Sequence, residues 1–225
     1  MKKIINKIDL FWNKKSFSFL LIILAIYIFI VIPLVNEKML GEIIFFIFYF
    51  LLLSSGLPFL IQNKRVSIIF ILIIAPFVLL FSQTLFRAAW LSVCADGFIV
   101  LYCLSLGTII LIKTFSKTHI TTHRVEGAIV VYLLLGFSFS SLFHIVYTLD
   151  GQGTFRGMEN YSRTEFMYFS LTTLTTVGYG DISPINTVAR SLSNLESLIG
   201  QLYPAILIAR LISMEYTSSK ERVNH

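Results

Sequence analysis

The sequence predicts an all-α integral membrane protein: six transmembrane helices, with a short helix and a loop re-entering the membrane between the fifth and the sixth. Three observations carry that expectation. Of 225 residues, 56% are hydrophobic and only 13% are charged, a balance outside that of ordinary soluble globules. The apolar residues fall in runs long enough to cross a hydrocarbon core about 30 Å thick. Charges collect at the ends of those runs. A net charge of +6 is therefore a statement about membrane topology, and nucleic acid is not the expected partner.

Residues 1–16 form a basic segment with Lys2, Lys3, Lys7, Lys14 and Lys15. Ile4, Ile8, Phe11 and Trp12 recur at helical spacing, which suits an interfacial helix on an anionic bilayer surface; a frayed tail is the alternative. Residues 17–35 carry no charge. They exceed a signal-peptide core and lack a small-residue cleavage site, so they are expected to form the first span. The second span covers residues 43–61 and the third 66–86, with Pro76 near its centre. A fourth runs over 88–112. Residues 17–112 thus make a four-helix membrane domain.

A polar linker over residues 113–126 is expected to be cytoplasmic. His119 and His123 in it share metal-ligand spacing, but no cysteine or carboxylate completes a set; a solvated linker or a pH sensor fits them. The fifth span covers 127–147 and the sixth about 187–213, bounding a domain of residues 127–213. Residues 214–225 are left as a short cytoplasmic tail. Cys94 and Cys103 lie on opposite sides of one helix, so a disulfide between them is excluded there.

Topology follows from the basic residues. With both termini inside, thirteen of the 18 lysines and arginines lie at inner ends and five at outer ends, namely Lys38, Arg87, Arg156, Arg163 and Arg190. That is the positive-inside bias of a multi-pass plasma-membrane protein.

Residues 162–184 hold the most specific signal. Ser162, Arg163, Thr164 and Glu165 fit a capping box, so a short helix is expected from Arg163 to the neighbourhood of Leu174. Its partly negative C-terminus would point at a waiting cation. The TVGYG string comes next, at Thr176, Val177, Gly178, Tyr179 and Gly180, the signature of a potassium selectivity filter. A dehydrated ion needs a cage of carbonyl oxygens facing one axis. Gly178 and Gly180 reach the positive φ values this demands at little cost. Thr176 adds a hydroxyl oxygen, and Tyr179 is placed to brace the loop from behind.

The stretch FMYFSLTTLTTVGYGDISP, residues 166–184, resembles the pore loop of tetrameric potassium channels. Thr173, Thr176, Gly178, Tyr179, Gly180 and Asp181 meet the family pattern, and LESLIGQLY at 195–203 is similar to the inner pore helix of small bacterial members. The resemblance covers residues 162–212. Where many members carry a tryptophan pair, this chain has Tyr168 and Phe169. The resemblance implies a K⁺-selective channel working as a homotetramer with three identical partner subunits, with K⁺ held at Thr176, Val177, Gly178 and Tyr179. It also implies that Tyr168 takes the place of a tryptophan whose N–H faces Asp181, so these two residues and Thr173 would support the filter.

In the sixth span Gly200 suits either a gating hinge or close helix packing, and Pro204 one turn later favours a bend. Asn194, Ser197, Gln201, Pro204, Ala205, Ile208 and Ile212 share a stripe suited to a cavity and gate. Glu196 falls opposite, where a structural hydrogen bond behind the pore is expected. Asp96, an acid at membrane depth, has His144, a hydroxyl or a helix-end basic residue as candidate partners. The fourth span has no arginine or lysine. A voltage sensor needs several, each worth about 2.3 kcal/mol per 100 mV, so weak voltage gating is expected. The rival readings are a non-conducting membrane subunit or receptor that keeps the pore fold, and a transporter. No catalytic motif, cofactor or soluble ligand is indicated beyond the transported K⁺ and the lipid bilayer.

Overall fold

In a computed structural model of the protein, residues 18–31, 74–75, 78–79, 82, 86, 88–115 and 122–223 are described. The expectations for residues 1–16, for the second span, for most of the third and for residues 116–121 of the linker fall outside them. An apolar chain in a hydrocarbon core must satisfy its backbone internally, and continuous helices are the simplest way to do so. Three helices among the described residues are long and apolar enough to cross a membrane: Ala89–Ile112, Val125–Asp150 and Thr187–Ser213. They are the fourth, fifth and sixth expected spans. Of the first, Ser18–Val31 is described as a shorter apolar helix, α1. Its last turn, Tyr27–Val31, winds as a π-helix.

The full helices extend past the spans. Helix α2 covers Ala89–Phe115 and α3 covers Thr122–Asp150. A two-residue strand, β1, comes next at Phe155–Arg156. Helix α4, Arg163–Leu174, has 12 residues and so reaches only about 18 Å, too short to cross a bilayer. Strand β2, Ser183–Pro184, precedes helix α5, Thr187–Val223. The strands pair antiparallel, Phe155 with Pro184 and Arg156 with Ser183.

The chain divides into two compact units. In the first, comprising residues 1–71 and 106–133, Leu20, Leu24, Leu106, Ile110, Ala128 and Val130 are buried, and Ser18 Oγ donates to Glu126 Oε2 at 2.7 Å. The second, residues 72–105 and 134–225, contains α4 and both strands. Its core is aromatic: Phe139, Phe143, Phe155, Phe166 and Phe169 are buried together with Val146, Met158 and Ala189. Phe143 meets Phe169 edge-on at 4.9 Å between centroids and Phe155 at 5.8 Å. The edge-to-face geometry fixes how α3, β1 and α4 pack.

Candidate functional site

Helix α4 begins where its sequence places it. Ser162 Oγ accepts from Glu165 N, and the Glu165 carboxylate accepts from Ser162 N at 2.9 Å, closing the capping box. That carboxylate also accepts from the backbone of Glu159 at 3.0 Å and Asn160 at 3.2 Å. Burial acts to raise the Glu165 pKa, but the backbone donors outweigh it and hold it below the ordinary carboxylate value.

The end of α4 sets the conformation of residues 175–181, the expected filter segment. The last carbonyls of a helix lack intrahelical donors. Here Thr175 N donates to Leu171 O, Thr176 N to Thr173 O, and Val177 N and Gly178 N both to Thr172 O, at 2.9 to 3.2 Å. Three successive filter-segment N–H groups thus turn back onto the helix. Positive φ recurs at every second residue, with Thr176 at 59°, Gly178 at 55° and Gly180 at 82°. Alternation of left- and right-handed twist puts successive N–H groups on one side of a chain, and therefore the carbonyls on the other. A β-strand would alternate them. Sequence reasoning reached the two glycines; Thr176, a non-glycine residue at positive φ, was not legible because side-chain sterics argue against it.

Every residue from Thr175 to Asp181 is exposed within the single chain, with Val177 at 52% and Tyr179 at 72%. Tyr168 Oη donates to Asp181 Oδ2 at 2.7 Å, and the Tyr168 and Tyr179 rings lie parallel with centroids 6.4 Å apart. The bond from Tyr168 holds the Asp181 carboxyl below its ordinary value and pushes the Tyr168 phenol up to about 12.

Helix α5 backs this assembly. Ala189, Ser193, Glu196 and Gly200 form its buried face. A Cβ on Gly200 would lie 1.8 Å from Leu174 O, so the glycine lets α5 approach the end of α4. Close packing is thus a structural reason for a glycine at position 200. Ser197 Oγ reaches Thr173 O at 3.4 Å. Glu196 faces away from the expected cavity stripe: its Oε1 lies 2.5 Å from Ser170 Oγ, which is also 2.8 Å from Gly136 O. The hydroxyl has one proton for two acceptors, so the arrangement closes when the carboxyl supplies the other. Asn194, Gln201, Ala205, Ile208 and Ile212 are exposed, with Ser197 and Pro204 half-buried. Pro204 lies inside the continuous helix and cannot donate to the carbonyl of Gly200 four residues before it.

Buried Asp96 takes two partners. His144 Nδ1 is 2.5 Å from Oδ2, and Arg163 Nη1 is 2.5 Å from Oδ1. His144 was a candidate from sequence. Arg163, read there as a topological charge, is the helix-end basic residue. It sits at the first position of α4, where a positive charge opposes the helix dipole, and Asp96 offsets it. Cys94 and Cys103 are free.

Residues 127–216 match the protein-family model described as an ion channel. The match takes in α3 from Gly127, the whole of α4 and the filter segment, and α5 as far as Tyr216. Among curated proteins, the chain is similar to Protein LctB of Bacillus caldotenax, with 30% identity over 87 residues. The aligned region is 36% of this chain and 62% of that protein, so the chain spans under two thirds of this relative's length. No solved structure matches significantly.

Proposed function

We propose, from an ion channel domain at residues 127–216, that the chain is one subunit of a homotetrameric, potassium-selective channel. The observation that carries the reading is the backbone of residues 176–180. The N–H groups of Thr176, Val177 and Gly178 are given to α4 and the sign of φ alternates through Gly180, which leaves a row of carbonyls to act together on one side of the exposed strand. Buried carbonyls need partners. One strand cannot encircle an ion, whereas four around an axis supply a cage. K⁺ exchanges its hydration shell for oxygens of Thr176, Val177, Gly178 and Tyr179 and advances by knock-on between sites. Gly180 and Asp181 form the exit, and Tyr168 and Thr173 support the stack from α4.

The same symmetry accounts for α5. Only 11% of the apolar window of its span is buried within one chain, and the stripe through Gln201, Pro204 and Ile208 then lines the cavity below the filter. The filter faces outward and both termini inward. No covalent step is involved. The span Ala89–Ile112 contains no lysine or arginine, so this region supplies little gating charge, and open probability changes little with voltage.

Purified protein in liposomes provides the test. Uptake of K⁺ down its gradient, with Na⁺ excluded, is the expected result. Sealed vesicles that admit neither ion would leave a non-conducting subunit, and equal uptake of both would remove the filter assignment.

A further inference from the structure

We propose that Gly157 is a positioning residue for the filter exit, through which the loop before α4 clamps the backbone of Asp181. The inference rests on the pore reading above and adds to it a part of the chain that the TVGYG motif does not contain. Gly157 has φ of 84°, and a Cβ there would lie 1.8 Å from Asp181 O and 2.9 Å from Asp181 C. The carbonyl of Asp181 thus occupies the space a side chain would need.

The loop is itself anchored. Phe155 and Met158, on either side of Gly157, are buried in the aromatic core. Strand β1 pairs with β2 just beyond Asp181, and Ile185 N donates to Thr154 O at 2.8 Å. Asp181 is therefore contacted twice: Tyr168 binds its carboxylate, and the backbone of Gly157 packs against its carbonyl. The side-chain bond lies on an exposed surface; the backbone contact is tied to the core. Displacing Asp181 O displaces Gly180 and Tyr179, whose peptides form the outermost sites.

Two other glycines of the same loop provide the control. Gly151 and Gly153 also have positive φ, at 79° and 102°, yet a Cβ on either meets nothing within 4 Å. Gly153→Ala imposes backbone strain without the collision. The experiment records K⁺ currents and K⁺/Na⁺ permeability ratios from the full-length protein in planar bilayers, for wild type, Gly157→Ala and Gly153→Ala, at low and raised outer K⁺. For Gly157→Ala, current at constant drive is expected to decay roughly tenfold faster, as overpacking of a tight contact implies, with a reduced permeability ratio. Raised outer K⁺ should slow that decay, because an ion between the outer carbonyls screens their repulsion. Gly153→Ala should stay within about twofold of wild type, since its strain falls at a loop position where a Cβ meets nothing within 4 Å. Equal behaviour of the two variants overturns the proposal. If Gly157→Ala does not assemble, Phe155→Leu, which loosens the anchor but remains apolar, decides: faster decay that raised K⁺ slows supports the clamp, and wild-type decay overturns it. Failure of wild type to show K⁺ selectivity would instead overturn the pore reading on which the clamp depends.

Discussion

Two adjacent stretches, residues 166–174 and 175–181, differ sharply in burial. In the first, Phe166, Met167, Phe169, Ser170 and Leu174 are buried, and the helix is surrounded by α3, α5 and the loop before it. In the second, every residue is exposed. Backbone geometry nevertheless stays specific across the boundary, because the N–H groups of 176–178 are fixed to the carbonyls of Thr172 and Thr173. A single chain thus buries the scaffold and leaves residues 175–181, the proposed filter, exposed. Substitutions in the scaffold should lower stability, and substitutions in the filter should alter ion selection while leaving the subunit folded.

Gly178→Ala puts the sharpest pressure on this contrast. Alanine at positive φ costs about 1–2 kcal/mol, and a Cβ there meets nothing within 4 Å. K⁺ selectivity or conduction should be abolished, while the thermal melting of the purified subunit falls only slightly. Unchanged K⁺ currents would break the assignment of the filter.

Gly200→Ala should do the reverse. Its methyl would collide with the backbone of Leu174, and such overpacking costs about 1–3 kcal/mol. Circular-dichroism melting should report the loss. If melting were unchanged, α5 would not be held to α4 by this contact.

Ser170→Ala leaves both Gly136 O and the Glu196 carboxyl without the shared hydroxyl. A buried polar group so deprived costs about 1–3 kcal/mol. Glu196→Gln, which keeps a donor for Ser170, should melt closer to wild type than Glu196→Ala. Equal melting of the two would mean that the carboxyl only fills space.

The smallest effect is expected where scaffold and filter meet at the surface. Tyr168→Phe should speed the decay of current modestly, since the bond it removes is exposed. The pH dependence has a definite sign. Because the folded Asp181 value is lowered from 3.8, the bond's contribution is full above that value and is lost as pH falls through the lowered one. Because the Tyr168 value is raised from 10.0 to about 12, the contribution is full below 10.0 and disappears as pH rises through about 12. Decay attributable to this pair should therefore be flat from about pH 5 to 9, measured as the difference between wild type and Tyr168→Phe. A slope inside that range would assign the effect to another group.

Much of this was legible in the chain because the signals are local. A capping box needs four consecutive residues, and a filter string needs five. Helical periodicity alone placed Glu196 opposite the exposed stripe, where it meets Ser170. The span boundaries near 112 and 213 came from hydropathy. Contacts made across long stretches of chain were not readable. Asp96 lies 67 positions from Arg163, and no periodicity distinguishes Arg163 from any other charge at a helix end. Nothing in the sequence marks Gly157, since only the approach of Asp181 O gives it a reason to lack a side chain. Gly200 admitted two readings from sequence, and the nearness of Leu174 O supplies the physical reason for packing.

In the proposed pore, residues 176–180 select K⁺ by an ordered row of backbone carbonyls. Reversal potentials of the full-length protein in a planar bilayer, with K⁺ on one side and Na⁺ on the other, test it most directly. Reversal displaced far toward the K⁺ equilibrium potential, and collapsing toward zero in Gly178→Ala, is the predicted result. A wild-type current reversing near zero would contradict the account.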